Sequence, residues 1–420
     1  MRLLLVFVLL AIAATQSAAQ PSARTNYDEA QVGTYVLPDP LLCADGKRVK
    51  DAKTWYKKRR PEILKLAEEN QFGRMPDRPK DMTFEVFEKG TAAFNGKATR
   101  KQVTIHFSAN KAGPKEDLLL YVPAAAPGPA PLLLYLSFSP NANTVSDPGV
   151  RAGEMWGRDK KKVPVEPGRP GIGRLNVEEI IDRGFGAATL YYGDIDPDFN
   201  GGATLGVRSL YLKPGQTEPG PDEWGAISAW AWGASRAMDY LETDRSVDSK
   251  RVALTGISRL GKTVIWAGGH DTRFAMVIAS ASGEGGASLS RRNYGETIRD
   301  LNTRFPYQFC ANYQKYGEHV NDLPIDAHML LALIAPRPLL LQTGDGDKWS
   351  DPKGEFLALV AAEPVYHLLG KQGLGTDQWP PAGTPLLHDV GYFMHAGGHG
   401  ALPSDWSIFL NFMEQHFRSK

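Results

Sequence analysis

Ser258 stands in Gly256-Ile257-Ser258-Arg259-Leu260-Gly261, between an apolar run, Val252 to Thr255, and a helical stretch, Lys262 to Gly268. A hydroxyl on a sharp turn from strand to helix is held out for attack. Small flanking residues permit the strained backbone, and the helix N-terminus offers donors and positive potential where an oxyanion develops. The pattern is G-x-S-x-x-G, with Leu260 where a second glycine usually stands. A serine hydroxyl needs an imidazole to take its proton and return it to the leaving group. His399, in Gly397-Gly398-His399-Gly400 and just ahead of Pro403-Ser404-Asp405-Trp406, meets that need. The second segment reads as the start of a terminal helix, and a histidine that comes last in the chain fits the expected order. His395 and His388 compete with it, whereas His416 falls inside the terminal helix and reads as a surface residue. The imidazole in turn needs a carboxylate to hold its tautomer. The run Pro338 to Gln342 is followed by Asp345, Asp347 and Asp351, and a carboxylate on this loop completes the order Ser, Asp, His; Asp347 is chosen over the other two. Aspartates beside glycine and proline are also ordinary turn formers. No histidine pair has a ligand spacing such as H-E-x-x-H, so neither a metal nor an organic cofactor is expected.

Such groups have to be carried on strand ends. Short apolar runs bounded by turn formers, as buried parallel strands are, lie at Leu118 to Val122, Pro131 to Phe138, Gly186 to Tyr192, Val252 to Thr255, Met276 to Ala279 and Pro338 to Gln342. Trp224 to Leu241 carries apolar residues at helical spacing. The alternation predicts an α/β fold of three layers, a mostly parallel central sheet with helices on both faces. Residues 20 to 115 read as a lead-in packed on that domain, with a helix near Thr54 to Asn70 and strands at Thr83 to Phe87 and Gln102 to Phe107. Residues 116 to 420 form the catalytic domain. Arg2, the apolar run Leu3 to Ala14 and Ser17-Ala18-Ala19 read as a signal peptide over residues 1–19, which predicts a secreted or periplasmic protein.

The 420-residue chain carries 48 Lys plus Arg against 47 Asp plus Glu, so no overall charge draws it to nucleic acid or anionic lipid. Its apolar run at the start is too short to span a bilayer, and no later one is long enough. Neither a nucleic-acid partner nor a membrane is expected, and a monomer is. Cys43 and Cys310 make at most one bridge, and two buried thiols are the equal alternative.

Several further blocks surround the candidate residues: Ser282-Gly283-Glu284-Gly285-Gly286-Ala287, Gly295-Glu296-Thr297, Leu323-Pro324-Ile325-Asp326-Ala327-His328, Leu333-Ile334-Ala335-Pro336-Arg337-Pro338 and Asp347-Lys348-Trp349-Ser350-Asp351-Pro352-Lys353-Gly354-Glu355-Phe356. Together with the Ser258 turn they resemble the glucuronoyl esterases of carbohydrate esterase family 15, particularly the bacterial members, from about Trp224 to the C-terminus. The resemblance implies the α/β-hydrolase fold and hydrolysis of esters between the (4-O-methyl-)glucuronic acid of glucuronoxylan and lignin alcohols. It implies that Arg259 stabilises the oxyanion and that Lys262, Glu296 and Trp349 contact the sugar. Two positions depart from the family: Ala281 stands where many members carry a catalytic glutamate, and Phe305-Pro306-Tyr307-Gln308-Phe309 replaces a usual His-Trp pattern. The first departure strengthens Asp347, with Glu284 as the fallback acid. An acetyl xylan esterase or general carboxylesterase with the same residues, and an inactive carbohydrate-binding homologue, are the alternative readings.

Overall fold

A computed structural model describes residues 25–418 except 167, 170 and 172. The signal-peptide reading of residues 1–19 lies outside the described residues. Strands β1 (Thr83–Ala93), β2 (Ala98–His106), β3 (Lys115–Pro123), β4 (Ala130–Ser137), β7 (Gly186–Tyr191), β8 (Val247–Ile257), β9 (Met276–Ser280), β10 (Leu339–Gly344), β11 (Leu386–Leu387) and β12 (Val390–His395) form one ten-stranded sheet. Its order is β1-β2-β3-β7-β4-β8-β9-β10-β12-β11. A separate hairpin pairs β5 (Glu154–Trp156) with β6 (Lys162–Pro164).

Strands β7, β4, β8, β9, β10 and β12 run parallel, and the antiparallel pairings are confined to the two edges. The fold is therefore the α/β-hydrolase type, with a mostly parallel sheet between two helical layers. The reason lies in the strands' composition. On β4, Leu132, Leu134 and Leu136 join one core while Leu133 and Tyr135 join another, so both faces need covering. Helices Ala226–Leu241 and Arg259–His270 cover the first face, and Val177–Asp182 and Pro403–Phe417 the second. Residues 83–106 contribute two strands to the same sheet. Helical turns over 52–72 place Trp55, Ile63 and Phe72 in the first core, where Phe72 stacks on Trp266 with centroids 4.5 Å apart. Hydrophobic burial of this kind stabilises by about 25 cal/mol per Å² of apolar surface removed from water.

Among the elements unread in the sequence, two flank the loops that carry Asp347 and His399. β12, Val-Gly-Tyr-Phe-Met-His, is buried along its whole length, so it shows no alternation, and it lies amid glycine-rich and proline-rich loops. Helix Pro352–Leu368 begins at Pro352 and contains Pro364, which breaks the usual helical signal. Cys43 and Cys310 are separate buried thiols rather than a bridge. Among the described residues no helix is long and apolar enough to cross a membrane.

Candidate active site

Strand β8 ends at Ile257, and Ser258 follows with φ 59° and ψ −128°, a conformation that L-residues seldom adopt. Its amide donates to the Ser280 carbonyl at the end of β9 over 2.8 Å, which pins the turn to the neighbouring strand. Close approach explains the glycines. A Cβ at residue 256 would lie 2.6 Å from the Leu260 carbonyl oxygen, and one at residue 261 only 2.7 Å from that of Ser280. Leu260 itself is buried in the core. The helix therefore touches β9 one residue later than G-x-S-x-G assumes, which accounts for the shifted second glycine.

The imidazole arrives from the loop after β12. His399 Nδ1 lies 2.6 Å from Asp347 Oδ2, and Ser350 Oγ is 3.3 Å from the same nitrogen. Burial alone would raise the Asp347 carboxyl. The hydrogen bond and charge of His399, with the Ser350 hydroxyl and amide, outweigh it and hold the group below the usual carboxylate range. Asp347 is buried, whereas the His399 side chain is 45% exposed. Because Nδ1 faces the carboxylate, Nε2 is the nitrogen left to exchange a proton with a reacting group. Ser258, Asp347 and His399 line one cavity of about 270 Å³. A half-buried serine on a strained turn, sharing a cleft with a carboxylate-backed imidazole, is an arrangement able to carry nucleophilic acyl transfer.

Cations stand beside it. Arg259 lines the same cavity and pairs with Asp198 at 2.5 Å, its guanidinium 4.8 Å from the Phe305 ring centroid. Burial would lower its pKa, but the Asp198 charge raises it instead. Asp198 also accepts from the hydroxyls of Tyr192 and Tyr307 and from Gln308 Nε2. Such a set of donors fixes the carboxylate and, through it, the guanidinium. Lys262 is buried, donating to the Ser282 carbonyl over 2.6 Å and lying 3.7 Å from Glu296. Glu296 and Trp349 complete the wall, joined by a 2.8 Å bond from the Glu296 amide to the Trp349 carbonyl.

The fungal glucuronyl esterase family model matches residues 219–370. Over 405 residues the chain is 45% identical to the carbohydrate esterase MZ0003 of an unknown prokaryotic organism, covering 95% of this chain and 93% of that protein. The chain belongs to carbohydrate esterase family 15. It is thus a carboxylic ester hydrolase. Among solved structures, a glucuronoyl esterase from Solibacter usitatus superposes with a TM-score of 0.88 at 51% identity, over 92% of this chain and 99% of that one. A promiscuous family 15 esterase from a marine bacterial metagenome superposes at 0.86 with 44% identity, over 93% and 100%.

In this family 15 esterase the rival residues sit elsewhere. Glu284 is buried, accepting from Ser290 Oγ and Tyr313 Oη, and does not line the cavity. Asp351 pairs with Arg292, and Asp345 accepts from the Gly397 amide. His395 is buried against Asp405 at 2.7 Å. His416 is half-buried rather than a free surface group, 2.9 Å from the His388 carbonyl. Ala281 does line the cavity, with φ 43°. Since β9 and β10 are adjacent and parallel, a carboxylate rooted past the end of either can reach the same space, and here Asp347, past β10, is the one beside His399. Sequence reading missed Arg304, whose guanidinium lies 5.1 Å from the Phe305 and 5.3 Å from the Trp349 ring centroids. It also missed Asp198, although its place in the acidic loop after the buried strand β7 was a usable signal.

Proposed function

We propose that this esterase hydrolyses esters whose acyl part is the carboxyl of (4-O-methyl-)glucuronic acid on glucuronoxylan, releasing a lignin-type alcohol through an acyl-enzyme. The observation that carries the reading is the Asp347–His399 pair opening, with Ser258, on a cavity walled by Arg259, Lys262, Glu296 and Trp349. A polar, cationic wall with one indole face suits a sugar ring bearing several hydroxyls better than it suits a lipid chain. A fungal relative from Cerrena unicolor, 27% identical over 401 residues, is a 4-O-methyl-glucuronoyl methylesterase.

Ser258 Oγ bonds to the ester carbon while His399 takes its proton and Asp347 stabilises the imidazolium. Arg259 and backbone amides at the start of the helix Arg259–His270 hold the carbonyl oxygen as its negative charge develops. Collapse breaks the bond to the alcohol oxygen, which receives the proton from His399. Water then repeats the sequence on the acyl-enzyme, releasing the uronate and restoring Ser258. Lys262, Glu296 and Trp349 bind the sugar. A leader over residues 1–19 fits a polymeric substrate that does not enter cells.

The test is turnover of the methyl and benzyl esters of glucuronic acid beside acetylated xylan. Wild type is expected to cleave the uronate esters, and Ser258→Ala to lose that activity while still binding the sugar. Activity restricted to the acetyl substrate would overturn the assignment.

A further inference from the structure

The near-zero net charge of the chain conceals a local segregation. Residues 151–174 carry seven Lys and Arg against three Asp and Glu, while the whole chain sums to +1. At the centre of this stretch is the β5–β6 hairpin, in which Arg158-Asp159-Lys160-Lys161 of the connection and Lys162, the first residue of β6, are all exposed.

The hairpin stands on the same edge of the sheet as Ser258. Trp156 Nε1 donates to the Gly193 carbonyl, just beyond the end of β7, over 2.7 Å. Further along, the amides of Gly171 and Leu175 donate to the carbonyls of Asn143 and Thr144, in the helical turn Asn141–Thr144 that follows β4. A Cβ at Gly173 would lie 3.6 Å from Ile257, the residue before the serine. Because β7, β4 and β8 are parallel neighbours, all these anchors mark their C-terminal edge.

Two of its three lysines are also held in place. Lys160 Nζ donates to the Asn200 carbonyl over 3.0 Å and lies 5.3 Å from the Phe199 ring centroid. Lys162 Nζ is 5.4 Å from the Trp156 ring centroid and 3.7 Å from Asp194. The Trp156 and Phe199 rings pack edge to face at 5.4 Å. Phe199 follows Asp198, the partner of Arg259 in the catalytic cavity. An aromatic base thus fixes two cations one residue along the chain from Asp198, the anchor of Arg259, on the sheet edge that also carries the cavity.

We infer that the β5–β6 hairpin is a docking surface for the free carboxylates of an acidic polysaccharide, holding uronate groups that neighbour the ester under attack. The inference rests on the proposed substrate, because a glucuronoxylan chain bears unesterified uronates beside the esterified one. Charge at a cleft mouth raises capture of an oppositely charged partner by roughly 10-fold or more and is screened by salt. The bland alternative is a solvated charge run with no ligand.

Binding of the protein to 4-O-methylglucuronoxylan and to the same polymer with its carboxyls reduced to alcohols separates the two without reference to catalysis. Wild type is expected to bind the uronate form more tightly, with the preference shrinking between low and 0.5 M NaCl, on the order of the Debye screening change. Arg158→Gln/Lys160→Gln/Lys161→Gln should lose most of the preference, and the lysine-to-arginine variant of residues 160 and 161 should keep it. In turnover, the triple glutamine variant should lose about 3- to 10-fold in kcat/KM on a polymer-borne methyl ester and little on methyl glucuronate. Equal binding to both polymers, a salt-insensitive preference, or an equal loss on polymer and monomer would overturn the inference. Failure of wild type to cleave methyl glucuronate would instead strike at the proposed reaction and leave the binding result standing.

Discussion

The contact that organises the site is the 2.6 Å bond between His399 Nδ1 and Asp347 Oδ2. Its loss should act on the transition state, since an imidazole without its carboxylate is free to adopt the wrong tautomer and loses the charge that steadies imidazolium. Asp347→Asn is expected to lower kcat by roughly 10³- to 10⁴-fold with KM little changed. Glu284→Gln should leave kcat near wild type, because Glu284 is spent on Ser290 and Tyr313 away from the cavity. Steady-state kinetics on benzyl glucuronate compare the two, and the reverse ranking would transfer the acid's role to Glu284. At this scale the meeting of Ser258, Asp347 and His399 at one cavity was legible because chemistry limits the residue types and chain order limits the choices. Arg304 was not legible, since nothing in its neighbourhood sets that arginine apart from a solvated one.

The loop that carries His399 is held by a second histidine, the buried His395 at the end of β12. Its Nδ1 lies 2.7 Å from Asp405 Oδ2 and its Nε2 3.0 Å from the Gly398 carbonyl. Asp405 also accepts from the Leu402 amide, tying the loop to the start of the terminal helix. From the other side, the Gly397 amide donates to Asp345 and the Gly346 amide to the Gly397 carbonyl. With so much of the loop pinned, an ångström of drift at residue 399 becomes a loss of alignment. Asp405→Asn should therefore reduce kcat by about 10- to 100-fold while KM stays close to wild type. An unchanged kcat in a folded variant would show that the loop holds its geometry without Asp405. The sequence offered His395 only as a rival base, because one histidine in a glycine-rich stretch looks like another until its partners are known.

Across the whole molecule, buried carboxylates outside the Asp347–His399 pair tie stability to pH. Burial pushes Glu284 and Glu355 up to about 8. Both therefore bind a proton more tightly in the folded chain than in the unfolded one. Their contribution is fully present below the unfolded value, about 4.5, and is lost as pH rises through about 8. Thermal melts should accordingly show Tm falling between pH 5 and pH 8.5. Glu355→Gln keeps the acceptor for the Gly283 amide but cannot ionise, so its melting curve should be flatter over that range. A slope identical to wild type would remove Glu355 from the account. Asp347, held low, acts in the opposite sense: what it contributes is present above its unfolded value and fades as pH falls through the lower folded one.

Some properties of this protein were determined locally. The strand-turn-helix around Ser258, the apolar runs of β3, β4, β7, β8, β9 and β10, and the late glycine-flanked His399 are each set by neighbours within a few residues, so periodicity and turn chemistry expose them. Tertiary structure decided the rest. Glycine at 261 rather than 260 answers to the Ser280 carbonyl on another strand, and Lys262 and Glu296 meet across 34 residues of chain. The cationic hairpin acquires its place only when β4, β7 and β8 align their ends along one edge. Contacts between segments far apart in sequence depend on sheet order, which no local pattern of residues encodes.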